Sequence, residues 1–353
     1  VKTAIFLGGG ASAAEGAPLQ TELFCDYFRL LQQDKDAINS EMYREIAVYF
    51  REIFSIDIEQ QEPDTIHFPT FEEALGILDL AVRRRESLKG FDLENICRNS
   101  NRIGFMRQYL VLLLATVLDH SQDERGTLHR RLVDKLATSG LLPQTLFLTT
   151  NYDTLIDNAL TSVPNMQLDY GLEFGNRSPV AGTAEAIRLF KVHGSLNWLY
   201  CPACNTISLT GRNQGVLRLL TDRQKSDCEQ CGSIILPVII PPTFFKDMTN
   251  VFFNMVWNQA EQHLRQVEQI VFCGYSFPDS DLHIKYLIKR VQTNRPNPLD
   301  LRFVVINGHP GKNPYQADKE HLRYRRFLGP AVEYTRLGFE DFAADPEKIY
   351  RRE

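Results

Sequence analysis

Four cysteines constrain this chain more than any other feature. Cys201 and Cys204 form one C-x-x-C, Cys228 and Cys231 form a second, and residues 205–227 separate them. Each pair is a turn that presents two thiolates side by side, and two such turns complete a tetrahedral Zn²⁺ site. Sulfur at all four positions makes the metal structural, holding a small lobe that cannot build a sizeable core alone. Residues 200–233 are therefore expected to close as a zinc ribbon. The remaining cysteines, Cys25, Cys97 and Cys273, follow no pattern. That is the usage expected of reduced thiols in a cytoplasmic protein, with Cys273 read as core.

The chain opens with an apolar run, Thr3 to Leu7, that passes straight into Gly8, Gly9, Gly10, Ala11 and Ser12. Strand, glycine turn and helix in that order begin a nucleotide-binding α/β unit. The turn fits the dinucleotide pattern loosely, as Gly8-x-Gly10-x-x-Ala13, and a purely structural tight turn explains it equally well. No acidic residue follows at the end of a second strand, which counts against an ordinary nicotinamide dehydrogenase.

From 19 to 139 strand-like runs are rare and helical periodicity dominates. Thr70-Phe71-Glu72-Glu73 has the form of a capping box. Asn101 to His120 and Thr127 to Thr138 read as helices, with Gly140 as a C-cap. This is too long for one α/β crossover and reads as a helical insertion with its own core. The α/β pattern resumes at Thr145. Strands are expected over 145–150, 188–192, 234–240, 269–273 and 301–306, with Asp281 capping a helix from Leu282. The tail from Gly308 is polar, with an amphipathic stretch near Phe339 and Phe342. The fold class expected is thus α/β: a Rossmann-like parallel sheet divided into 1–18, 140–199 and 234–353, interrupted by the insertion 19–139 and the ribbon 200–233.

The turns after these strands carry the polar residues. GGGAS, TTNYD, KVHGS, FCGYS and VVIN each sit past a strand's carboxyl end, the edge where open parallel sheets bind ligands. Asn151 and Asp153 flank a tyrosine. An Asx-turn and helix cap account for Asp153 alone, whereas the Asn151 amide suits a ribose hydroxyl or a water. His193 has the titration range of a general base at neutral pH, and Gly194 beside it leaves room for a ligand.

The net charge of −5 argues against sequence-independent nucleic-acid binding. No direct sequence-specific binding is expected either, and Arg83 to Arg85 read as a solvated helix face. The most apolar run, Tyr109 to Leu118, is about half of what a bilayer requires, so no membrane association is expected. No leader pattern is visible at the start, and Val1 in place of methionine suggests a short piece preceding it.

Taken in order, GGGAS…GAP, TTNYD, HGS, CPAC…CEQC, CGYS and VVIN resemble the sirtuin family of NAD-consuming enzymes over the α/β portion. The long insertion resembles the sirtuin-like NAD hydrolases of bacterial antiphage defence instead of the protein deacylases. Two departures agree. Pro18 is followed by Leu19-Gln20-Thr21 where a deacylase has Asp-Phe-Arg, which leaves the fixing of the nicotinamide ribose unexplained. After the ribbon, Ile240-Pro241-Pro242-Thr243-Phe244-Phe245 replaces Phe-Gly-Glu, and its prolines lack the donors a peptide β-partner would use.

The resemblance implies a Rossmann-like sirtuin fold with structural zinc and NAD as substrate, cleaved to nicotinamide and ADP-ribose. It implies Asn151, His193 and Asp153 as catalytic residues. Gly8, Gly9, Gly10, Ala11, Ser12 and Pro18 would hold the pyrophosphate side, and Gly274, Tyr275, Ser276 and Asn307 the adenosine half. The short stretch after the last strand adds an expectation of control by self-assembly or in trans. A HerA-like hexameric ATPase is the favoured partner and a short prokaryotic Argonaute the second. The alternatives are an NAD-dependent protein-lysine deacylase and a non-catalytic subunit that binds NAD or ADP-ribose.

Overall fold

The structure, a computed structural model, describes residues 2–33, 40–95, 100–121, 127–177, 185–211, 227–239, 250–308 and 313–350. Cys97, the start at Val1 and the proline-containing run 240–245 lie outside them.

In chain order the strands are β1 (Thr3–Leu7), the short pair β2 (Glu94–Asn95) and β3 (Ser100–Asn101), β4 (Thr145–Thr149), β5 (Met166–Asp169), β6 (Glu185–Lys191), β7 (Gly194–Cys201), β8 (Thr206–Leu209), β9 (Leu236–Ile239), β10 (Gln269–Cys273), β11 (Arg302–Ile306) and β12 (Glu333–Thr335). Seven form one sheet in the order β12-β11-β10-β1-β4-β6-β5. Every pairing in it is parallel. Every residue of β1, β4 and β10 is buried. Unbroken apolar runs such as AIFL and IVFC fit this position, because a central parallel strand is covered on both faces. β1 is the centre. The chain first builds outward through β4 to β6 and β5, then returns to lay down β10, β11 and β12 on the other side. Such a reversal leaves a crevice beyond the carboxyl ends of the strands.

The helices Leu23–Gln33, Ser40–Phe54, Phe71–Arg84 and Arg102–Ser121 have a second core of their own. Phe24, Phe28, Phe50 and Phe71 are among its buried side chains. The ring centroids of Phe24 and Phe50 are 4.8 Å apart, edge to face. The capping box is formed: Thr70 Oγ1 accepts from the Glu73 N–H, and the Glu73 carboxylate accepts from the Thr70 N–H. The helix ends with Arg83 and Arg84 exposed and Arg85 left-handed, the solvated basic face expected. The helix Thr127–Thr138 is different. Its Leu132, Val133 and Leu136 are buried in the sheet's core and not in the insertion's. Gly140, at φ 67°, terminates it, with the Leu141 N–H returning to the Leu136 carbonyl.

β7, β8 and β9 form a separate antiparallel sheet in the order β8-β7-β9. β7 begins one residue after His193, so this sheet starts before the first cysteine and returns through β9 after the last. The polar tail holds more structure than its composition suggests: the helix Pro314–Leu328, then β12 on the sheet edge. Phe339 and Phe342 are buried, as their amphipathic spacing implies.

Candidate functional site

A cavity of about 600 Å³ lies at the carboxyl edge of the sheet. It runs from Asn307 after β11, past Gly274–Ser276 after β10 and Gly9, Gly10 and Ser12 after β1, to Asn151–Asp153 after β4 and His193 after β6. Leu19, Gln20, Thr21, Leu23, Glu72, Leu114 and Leu118 wall it from the insertion, and Gln316, Glu320 and Arg323 from the helix Pro314–Leu328. That volume is typical of small-molecule and cofactor sites.

The glycine turn is interlocked with the loop after β10. The Gly10 N–H donates to the Gly274 carbonyl at 2.7 Å. A Cβ on Gly8 would lie 2.7 Å from that oxygen and from Tyr275 Cα, and one on Gly274, whose φ is +63°, 2.2 Å from the Ala11 nitrogen. Gly8 and Ala11 therefore pack the two loops together and do not line the cavity. Gly9, Gly10, Ser12 and Pro18 do.

Three side chains then form a relay. Asn151 Nδ2 donates to the Gly8 carbonyl at 2.9 Å and to Ser12 Oγ at 2.8 Å. Ser12 Oγ donates to Asp153 Oδ2 at 2.6 Å. The Gly8 carbonyl can only accept, which fixes the amide nitrogen on that side. Asn151 Oδ1 is thus the atom offered to a hydroxyl or a water. Asp153 is 4% exposed, and its Oδ1 also accepts from the Leu155 N–H at 3.1 Å. It forms the local turn expected of it and anchors Ser12 as well.

His193 is 2% exposed, with its ring 6.4 Å from that of Tyr152 and nearly parallel to it. Gly194 has a different reason from the one its size suggests. Its φ is +86°, and a Cβ there would fall 1.9 Å from the Val238 carbonyl oxygen. It is required where the chain turns from the parallel sheet into the antiparallel one, so the space at its own α-carbon is filled by β9 and not by a ligand. The strand before His193 ends in Lys191, fully buried, which donates to the Asp153 carbonyl and to Asp157 Oδ2 at 2.9 Å.

At the other end Tyr275 is buried against Phe6, and its hydroxyl donates to Asp281 Oδ2 at 2.9 Å. Asp281 stands at the N-cap position expected for it but makes no side-chain capping bond. Its carboxylate is turned to Tyr275 instead. Asn307 Nδ2 donates to the Tyr275 carbonyl at 3.2 Å and to Glu320, and Tyr334 OH donates to the same Glu320 oxygen at 2.8 Å. Ser276 lies exposed at the rim. Burial, reinforced by the carboxylates of Asp281 and Glu72, pushes the Tyr152 hydroxyl well above the usual tyrosine range, so it remains protonated.

The four cysteines also come together, away from this cavity. Their Sγ atoms all lie within 4.8 Å of one another, with Cys201–Cys231 at 3.5 Å and Cys204–Cys228 at 3.6 Å. A tetrahedron with Zn–S near 2.3 Å has edges of about 3.8 Å, so this donor set is compatible with zinc. Backbone N–H groups of Gln230 and Cys231 lower Cys228, and hydrogen bonds from Ser233 lower Cys231 to about 6. The thiol of Cys201, which shares hydrogen bonds with Cys231 and Cys204, is pushed the other way, to about 11, so these three sulfurs divide into readily and reluctantly ionised members.

A family model described as SIR2-like domain matches residues 145–325, just over half of the chain. The chain belongs to the SIR2-like family. No curated protein matches it. Solved structures similar to this SIR2-like chain include a Sir2 in complex with the inhibitor EX-527, 2'-O-acetyl-ADP-ribose and a deacetylated p53 peptide (15% identity, 99% of this chain and 94% of that one, TM-score 0.39). Another is a Sir2 with a p53 peptide and NAD⁺ (15% identity, 99% and 93% covered, TM-score 0.41).

The motif residues were legible because each is a polar residue or glycine in a turn after an apolar run. Glu72, Asp281, Glu320, Arg323 and Lys191 were not singled out as site residues. Asp281 and the run containing Glu72 carried capping signals, and Lys191 is a charge at the end of the strand it shares with Leu189 and Phe190.

Proposed function

We propose that the chain is an NAD⁺ glycohydrolase, cleaving NAD to nicotinamide and ADP-ribose. What carries this reading is that Asn151, Ser12, Asp153 and His193 share one cavity with the glycine turn. From β11 to β6 the cavity crosses four strand spacings, about 19 Å, enough for an extended dinucleotide. Gly9 and Gly10 at its middle suit the pyrophosphate, Asn307 and Ser276 the adenosine side, and Asn151 and His193 the nicotinamide ribose.

In the reaction the bond from ribose C1′ to the nicotinamide nitrogen breaks, and its electron pair leaves with nicotinamide. The ribosyl carbon becomes oxocarbenium-like, water oxygen attacks it, and the water's proton passes to His193 and on to solvent. Asn151 Oδ1 orients that water or a ribose hydroxyl, and Asp153 keeps Asn151 in place through Ser12. Apolar walls at Leu114 and Leu118 limit free water on this side of the cavity, which favours hydrolysis by one positioned water over transfer to other acceptors.

Leu19, Gln20 and Thr21 at the cavity favour the hydrolase over a deacylase, because they stand where the deacylase resemblance expects Asp-Phe-Arg. One observation keeps the deacylase as second reading. A groove of about 790 Å³ runs along β9 between the insertion and the antiparallel sheet, a volume that a short peptide could occupy.

The biological role we infer is NAD depletion in the cytoplasm during bacterial antiphage defence. Activity would be switched on by self-assembly or in trans, by a HerA-like ATPase first and a short Argonaute second. Motif order and the long insertion support it.

The test is chromatography of NAD incubated with the pure protein, beside His193→Ala and Asn151→Ala, without peptide, and again with the ATPase and DNA. Nicotinamide and ADP-ribose from the wild type alone support the hydrolase. Turnover only with an acyl-lysine peptide replaces it with the deacylase. NAD binding without turnover in every condition leaves a non-catalytic subunit.

A further inference from the structure

Among the described residues four carboxylates line the cavity, Glu72, Asp153, Asp281 and Glu320, and Arg323 is the one lysine or arginine that does. The glycine turn can hold a pyrophosphate through its backbone N–H groups, so a guanidinium elsewhere in the cavity is free to meet a further phosphate.

Arg323 lies on the helix Pro314–Leu328, three residues after Glu320 and therefore on the same face. Glu320 is hydrogen-bonded to Asn307, which places this helix face at the β11 end of the cavity and not at the glycine turn in the middle. The Nε of Arg323 is shielded from solvent and has no hydrogen-bond partner among the described residues. Glu320 differs. It is 4% exposed and already accepts from Asn307 and Tyr334. A carboxylate that is to select an unphosphorylated adenosine ribose keeps its oxygens for the 2′-hydroxyl, whereas an arginine nearby accommodates a 2′-phosphate. In this cavity Glu320 Oε1 is already engaged by Asn307 and Tyr334, and Arg323 lines the same end of the cavity.

We propose that Arg323 makes this a site for 2′-phosphorylated dinucleotides, so that NADP is bound and used as well as NAD. The inference rests on the dinucleotide reading of the cavity and adds to it the recognition of the adenosine 2′ position. Guanidinium and phosphate meet through charge-assisted, bidentate hydrogen bonds.

The test uses ligands that lack the scissile bond, so it is independent of turnover. Binding of ADP-ribose and of 2′-phospho-ADP-ribose is measured by calorimetry for wild type, Arg323→Gln and Arg323→Lys. The wild type should bind the 2′-phosphorylated compound at least as tightly as ADP-ribose. Arg323→Gln should weaken the phosphorylated ligand by about 10- to 100-fold and ADP-ribose by less than about threefold. Arg323→Lys, which keeps the charge without the fork, should fall between. Unchanged ADP-ribose binding also reports that the variants are folded. Equal weakening of both ligands would assign Arg323 to the pyrophosphate and overturn the proposal. So would a wild type that prefers ADP-ribose by more than about tenfold. If neither ligand binds, the dinucleotide reading itself fails, an outcome distinct from ADP-ribose binding alone.

Discussion

Replacing Lys191 by methionine tests how the site is held. Lys191 is fully buried, and its ammonium is 2.9 Å from Asp157 Oδ2. Asp157 is 3% exposed, and its other oxygen accepts from Tyr170 OH at 2.8 Å. At an effective dielectric of about 20 the pair attracts by about 6 kcal/mol, most of it offset by the desolvation of both charges. Methionine keeps the volume of the lysine stem but leaves the Asp157 carboxylate buried with one neutral donor. Breaking a buried pair in this way costs about 3–5 kcal/mol. With a urea slope near 3 kcal/mol/M, the unfolding midpoint should fall by more than about 1 M. The double variant Lys191→Met/Asp157→Leu removes both charges and should recover most of that loss. It should not recover NAD turnover, because the Asp153 carbonyl has still lost the donor that ties the Asn151–Asp153 loop to the strand ending before His193. A single-variant loss below about 1 kcal/mol, or a double variant no more stable than the single, would refute the buried pair. Full activity in the stable double variant would refute the positioning role.

Three further outcomes are expected. Gly194→Ala should lower stability by more than about 2 kcal/mol in thermal or urea unfolding, since a Cβ would meet the Val238 oxygen at 1.9 Å from a left-handed backbone. Metal analysis should give about one zinc per chain, and Cys204→Ser should lose it and raise proteolysis of 194–239; a chelator-free preparation well below one equivalent would refute the assignment. Glu15→Gln tests a pH dependence. Burial raises the Glu15 pKa, but the hydrogen bonds and charge of His129 outweigh it and leave the value below the usual 4.5. The stabilisation from Glu15 is therefore fully present above about pH 4.5 and is lost as pH falls through the lower folded value. The stability gap between Glu15→Gln and wild type should close over that window, and a gap constant with pH would argue against the ionised contact.

The sheet was legible because its central strands are short, wholly apolar and each followed by a small or polar turn. β1, β4 and β10 could hardly have been read otherwise, and the capping box at Thr70 marked its helix to the residue. β7 went unread. Its residues Asn197, Trp198, Leu199 and Tyr200 mix polarities without clean alternation, because one side meets the sheet's core and the other the insertion. The tail misled in the opposite sense. The helix Pro314–Leu328 is rich in charged residues and reads as surface, yet buried Tyr324 donates to the Tyr275 carbonyl at 2.6 Å and fixes the loop after β10. A single long-range hydrogen bond of that kind leaves no period in the sequence. The same reason hid Arg323, whose proposed role comes from the cavity it lines.

Tyr152 links these levels. Its backbone belongs to the loop after β4, with Asn151 before it and Asp153 after it, and its carbonyl accepts from the Leu196 N–H at 2.9 Å. Its ring is buried with the insertion's core, not the sheet's. One residue thus fastens the parallel sheet, the antiparallel sheet and the insertion at the point where Asn151 meets the cavity. Asn151 and Asp153 have their partners in the glycine turn and hold to the sheet, whereas the ring of Tyr152 goes with the insertion and lies beside His193. The insertion is therefore part of the site's construction. It supplies the apolar wall through Leu114 and Leu118, it brings Glu72 to the cavity, and it bears on the histidine through one aromatic contact.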